Sequence, residues 1–103
     1  MLNVEVFGPH FPIFDKKGYW IDFSESKLTF RNSENLPLFE IIHDRKTHEN
    51  ILMTRENVYY TDHIFICCDH DYHPTLAFDV GTNNFFTITI TVDENGNELT
   101  PTL

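Results

Sequence analysis

A chain of 103 residues with 16 acidic and seven basic side chains has a formal net charge of −9, which argues against a surface built to hold phosphates or anionic lipid. Its ten Phe, four Tyr and one Trp can fill one modest core, and the length suits a single domain over 1–103 with a radius of gyration of about 13 Å. Apolar runs fall short of the roughly 20 residues that span a bilayer, and Met1-Leu2-Asn3-Val4-Glu5 carries an early acid with no basic leader or cleavage site, so the chain reads as cytoplasmic.

The charge is unevenly placed. Residues 1–55 hold all seven Lys and Arg against eight acids, whereas 56–103 hold eight acids (Glu56, Asp62, Asp69, Asp71, Asp79, Asp93, Glu94, Glu98) and no base. Such a half cannot supply a basic footprint for nucleic acid. It can serve solubility, or draw a basic partner.

In chain order, Leu2 to Val6 alternates as a first strand ended by Gly8-Pro9. His10–Phe14 and Tyr19–Phe23 flank Asp15-Lys16-Lys17-Gly18 in the manner of a hairpin, with Pro12 keeping the first arm at an edge. Lys27–Arg31 buries Leu28 and Phe30; Asn32-Ser33-Glu34-Asn35 is turn chemistry, and 36–42 returns. His43–Glu49 is a polar loop. Ile51–Met53 and Val58–Tyr60 read as strands around a turn at 55–57, although Thr47 could cap a short helix near 47–56. Tyr59 and Tyr60 are adjacent, so one of them turns inward.

His63–Cys68 reads as a strand buried on both sides, 69–74 as a loop, 76–80 as a strand and Gly81–Asn84 as a turn. Phe85 to Val92 then alternates strictly, with Phe86, Ile88, Ile90 and Val92 on the buried side, and is expected to be the central strand. Asn95-Gly96 signals a two-residue hairpin turn, and Glu98–Thr100 pairs back. About eight short strands with turn signals between them predict an all-β, single-domain antiparallel meander forming a half-barrel or sandwich.

Adjacent cysteines on a strand diverge, so Cys67 and Cys68 read as free thiols in a reducing compartment. The segment from His63 to His73 is densest in metal-capable side chains, and an alternative reading is a small metal-binding domain or metal-dependent enzyme using His63, Cys68, His70 and His73. No second C-x-x-C or H-x-x-x-H pair closes such a site, so the primary expectation is no metal and no cofactor. His48-Glu49 starts like a zincin motif, but Leu52 stands where the second His belongs. Ser24, Ser26 and Ser33 have no elbow glycines, buried strand cysteines are poor nucleophiles, and no glycine-rich phosphate loop exists. Six histidines permit a pH response, three of them beside acids in 63–73.

Tyrosines among carboxylates suit a protein–protein surface: the rings give rigid contact area and the acids pair with arginine. Glu56, Tyr59, Asp62, Asp69, Asp71, Tyr72 and Asp79 are the expected partner-binding residues, with no catalytic residue among them. The functional expectation is a small acidic cytosolic, non-enzymatic protein that binds and neutralises a basic partner 1:1. Its most concrete form is an immunity protein inhibiting a bacterial nuclease toxin by occluding its active site. The other alternative is an acidic accessory subunit of a larger complex.

Overall fold

The computed structural model describes residues 4–6 (as backbone), 14, 16–71, 73–80, 85–94 and 96–99. Among these, nine strands build two sheets: β1 (Val4–Val6), β2 (Trp20–Phe23), β3 (Lys27–Arg31), β4 (Pro37–His43), β5 (Asn50–Thr54), β6 (Val58–Thr61), β7 (His63–Cys68), β8 (Pro74–Asp79) and β9 (Phe85–Thr89). β2 to β6 form one five-stranded sheet in sequence order, and the second sheet has the order β1-β7-β8-β9. The fold is all-β, as the alternating pattern predicts.

The first sheet is a meander because each connection is short and rich in turn residues. Between β3 and β4, Asn32 Oδ1 accepts the N–H groups of Glu34 and Leu36, both at 2.9 Å, and Asn35 takes a left-handed conformation (φ 66°) that Asn tolerates. Leu28 and Phe30 stand opposite Ile41 and Phe39, and Ile41 opposite Leu52, so one face of the sheet is apolar row by row. In the second sheet Ile64 and Ile66 of β7 oppose Phe78 and Leu76 of β8. All nine of these side chains except Phe39, which is 2 % exposed, are fully buried, and together they join the two sheets face to face. Phe30 is the aromatic hub, with ring centroids 4.8 Å from Phe39, 5.1 Å from Phe14 and 5.3 Å from Tyr19. Tyr59 is the inward member of its pair, its ring 4.8 Å from Phe78, while Tyr60 is 54 % exposed.

Asp62 is the single residue between β6 and β7, where the chain passes from the first sheet to the second. Its N–H donates to the Asp79 carbonyl at 2.9 Å, and its own carbonyl accepts the Asn50 side-chain amide at 3.2 Å.

Several expectations are corrected. The stretch from Phe85 is not central: β9 is an edge strand of its sheet, and Phe86, expected inside, is 48 % exposed. Alternation identifies a half-buried strand but not the number of its neighbours. β7 and β8 are the interior strands, and β7 is buried on one face only: Ile64 and Ile66 are fully inside, while His63 is exposed and Phe65 and Cys67 are half-buried. β1 joins β7 in parallel, the one departure from antiparallel pairing among the described residues. β2 pairs with β3; the first arm of the expected 10–23 hairpin lies mostly outside the described residues, as does the 81–84 turn. No helix forms over 47–56; β5 occupies its middle, and the helical tendency is spent in one turn in which His48 N–H donates to Asp44 O at 2.9 Å. The Asn95-Gly96 signal makes a three-residue rather than a two-residue loop. Gly96 N–H donates to Asp93 O, Asp93 N–H donates to Asn97 O, and Gly96 has φ 82°, the left-handed position of a bulged hairpin.

Candidate functional site

The chain from β7 onward, joined by β1, builds one layer, and β2 to β6 build the other. Lys27 and Arg31 lie on β3; Arg45 and Lys46 lie in the β4–β5 turn, Arg55 in the β5–β6 turn, and Lys16 and Lys17 just before β2. Five of the seven bases therefore belong to the first sheet and its turns, and Lys16 and Lys17 lie in the β1–β2 connection between the sheets. β1 and the chain from β7 to residue 99 carry acids and no base. Two of the bases are already matched: Arg31 Nε reaches Asp22 at 2.9 Å, and Lys27 Nζ lies 3.5 Å from Glu40.

Within the acidic layer Asp69, Asp71, Asp93 and Glu94 lie at the end formed by the β7–β8 turn and the 93–97 hairpin. Asp69 shapes the turn, its Oδ1 accepting the N–H groups of Asp71 and His73 at 2.9 Å each. His73 links turn to hairpin, its Nδ1 accepting the Val92 N–H at 3.1 Å. Asp93 closes the hairpin by accepting the Asn97 N–H at 3.0 Å. Asn32, 1 % exposed, ties the hairpin to the opposite sheet: its side-chain amide donates to Gly96 O at 3.1 Å and Asn97 Oδ1 at 3.0 Å. A recess of about 200 Å³ results, with Asp71, Asp93 and Glu94 in its wall beside Lys17, Tyr19 and His73. Burial, then the Asp93 carboxylate, push the Tyr19 phenol above its usual range, which keeps it protonated as a donor.

The expected partner-binding residues do not form one patch. Asp69 and Asp71 share the recess end. Asp62 and Asp79 meet at the other end of β7 and β8, about 17 Å away at roughly 3.3 Å per residue. Glu56 and Tyr59 line a separate cleft of about 460 Å³, between the β5–β6 turn and the 88–91 stretch, shared with Arg55 and Glu98. There burial raises the Glu98 carboxyl; Arg55 opposes the shift and Glu56 adds to it. Tyr72 lies outside the described residues. Sequence reading missed the contribution of Asp93, Glu94, Tyr19 and Lys17 to the recess. Asp93-Glu94 was visible only as part of a turn and of the acid total.

The alternative metal set does not assemble. His63 and Cys68 stand at opposite ends of an extended strand, His73 Nδ1 is occupied by a backbone N–H, and no group of three potential ligands converges among the described residues. Cys67 and Cys68 form no disulfide and are part-buried; burial foremost raises both thiols, with Cys68 adding for Cys67 and Asp69 for Cys68. Both thiols therefore stay protonated, and the Cys67 thiol donates to Thr75 O at 3.4 Å. Among the described residues no helix is long and apolar enough to cross a membrane.

No family model, curated protein or solved structure matches the chain.

Proposed function

We propose that this protein binds a basic protein through its acidic layer and neutralises it, most concretely as a cytoplasmic immunity protein that occludes the active site of a bacterial nuclease toxin. The observation that carries the reading is the segregation of charge by layer: β1 and the chain from β7 onward hold no Lys or Arg, with Lys17 of the β1–β2 connection beside them at the recess. A surface of one sign speeds encounter with a partner of the other and fixes its orientation. A nuclease active site, built to hold phosphates, is such a partner. The recess end supplies three carboxylates from two separate turns, anchored through His73 and Asn32, and carboxylates held in fixed geometry are what bidentate arginine pairing requires.

The test is retention of a protein from the native lysate on immobilised chain at about 50 mM and about 300 mM salt, where Debye lengths are roughly 14 and 6 Å. The expected result is one basic protein held 1:1 at low salt and released at high salt, with loss of its nuclease activity in the complex. A stoichiometric partner that keeps its activity when bound would instead assign the accessory-subunit role. No stoichiometric partner at either salt would overturn the reading.

A further inference from the structure

Among the described residues, the acidic layer also contains a sheet edge without the usual protective residues. Native sheets protect exposed edges with charges, proline or bulges, yet Phe85 to Val92 contains no charged residue, Pro or Gly. Among the described residues β9 has a single strand neighbour, β8. The hydrogen-bond parity of the free side follows from two bonds. Ile90 N–H donates to Pro74 O at 2.8 Å, so 86, 88 and 90 direct their backbone groups toward β8, and 85, 87, 89 and 91 direct theirs away. Consistently, Thr91 O on the free side accepts the Leu99 N–H at 2.8 Å. That contact closes the edge at residue 91 and leaves Phe85, Thr87 and Thr89 to present outward-directed backbone groups. The side chains beside them are large and apolar: Phe85 is 58 % exposed and Phe86 48 %.

We propose that β9 pairs antiparallel with β9 of a second copy of this chain about a two-fold axis at Thr87, joining two four-stranded sheets into one of eight strands. The register is set by the parity. With Thr87 opposite its own copy, Phe85 stands opposite Thr89, and all three residues meet in hydrogen-bonded pairs. An axis at Ile88 would instead bring residue 91 into the ladder, where Leu99 already binds. On the core-facing side, Phe86 meets Ile88 of the partner subunit and extends the row Phe78–Phe86 across the seam, covering the exposed ring. A second copy is the fitting occupant because the strand is complementary to itself and carries no charge, so the −9 of each chain is not concentrated at the seam. Self-association and capture of a basic partner then respond to salt in opposite directions: screening favours the pairing of two acidic chains and weakens the pairing of acid with base.

Sedimentation of the intact chain over about 10–500 µM, at about 50 and 300 mM salt, tests this. The expected result is a mass rising from 12.2 kDa toward twice that value, at lower concentration in the higher salt. Thr87→Lys, at an exposed position, places two ammonium groups at the axis and is expected to shift dimerisation at least tenfold upward in concentration. Thr87→Pro removes the outward N–H and is expected to do the same; circular dichroism confirms that each variant is folded. In a Cys67→Ser, Cys68→Ala background, Thr87→Cys should cross-link on oxidation, since hydrogen-bonded antiparallel pairs have Cα atoms about 5.5 Å apart, while Lys27→Cys on the other sheet should not. A single 12.2 kDa species throughout, or a dimer unmoved by folded Thr87→Lys and Thr87→Pro, or cross-linking at Lys27→Cys and not at Thr87→Cys, would overturn the proposal.

Discussion

Asn32 is the residue on which the recess depends, and Asn32→Ala measures how far. Its side chain makes four hydrogen bonds across 64 residues of sequence, two from its amide to Gly96 O and Asn97 Oδ1, and two accepted from Glu34 and Leu36. In the alanine variant the exposed Glu34 and Leu36 can turn their N–H groups to water, so each of those losses costs about 0.5–1 kcal/mol. Gly96 is buried, and its carbonyl, left without the amide, costs about 1–3 kcal/mol. The total is about 3 kcal/mol, roughly 12–24 °C of melting temperature for a domain of this size. Urea unfolding gives the first number and a thermal scan the second. Hydrogen exchange should also show Gly96 and Asn97 losing protection more than β7 does. Asn32→Asp separates the two ends of the amide: it keeps the turn acceptor but removes both donors and sets a carboxylate near Asp93, so it should loosen the hairpin while sparing the 32–36 turn. A loss below about 1 kcal/mol in Asn32→Ala, with hairpin protection unchanged, would refute the claim that this residue holds the acidic hairpin in place.

Three further outcomes are expected. Phe30→Ala, removing the ring that touches Phe14, Tyr19 and Phe39, should cost about 3–5 kcal/mol in urea unfolding, and a cost under about 1 kcal/mol would place the core elsewhere. Glu98 has its folded-state carboxyl pKa raised above the unfolded value, so the folded state holds the proton more tightly and stability falls as pH rises from the unfolded value through the raised one. Glu98→Gln should flatten that dependence as pH rises above the ordinary glutamate range, and a stability that rises equally with pH in both proteins would contradict it. The raised thiols of Cys67 and Cys68 should react with a disulfide reagent at neutral pH more slowly than an unstructured thiol, converging on its rate in denaturant.

Local chemistry made most strands legible. The alternation of Leu28 and Phe30, the turn residues 32–35 and the β-branched run at 63–68 each depend on neighbours in sequence, and each is found in place. Position within a sheet was not legible, because it depends on pairing between distant segments. β1 meets β7 across some 60 residues, which makes β7 an interior strand and leaves the regular stretch from Phe85 at the rim. The acidic layer could be anticipated because β7 to the 93–97 hairpin is one continuous part of the chain. The recess could not, since it forms where His73 takes the Val92 N–H and Asn32 takes Gly96. Spacing marks Asp69 and Asp71 as a pair of acids but does not distinguish their roles. The structure does: Asp69 spends an oxygen on two turn N–H groups, while Asp71 faces the recess.

That distinction selects the variants for the most direct measurement of the central claim, binding of the retained basic partner by two proteins of equal net charge. Asp71→Lys with Glu94→Lys reverses two exposed acids at the recess end. Glu56→Lys with Asp62→Lys reverses two exposed acids away from it. Like charges set against a complementary surface cost several kcal/mol, so the first pair should weaken binding by at least about a hundredfold at low salt. The second pair should weaken it by about tenfold or less, through the overall field alone. Equal losses from the two pairs, with both proteins folded, would contradict a partner seated on the recess end.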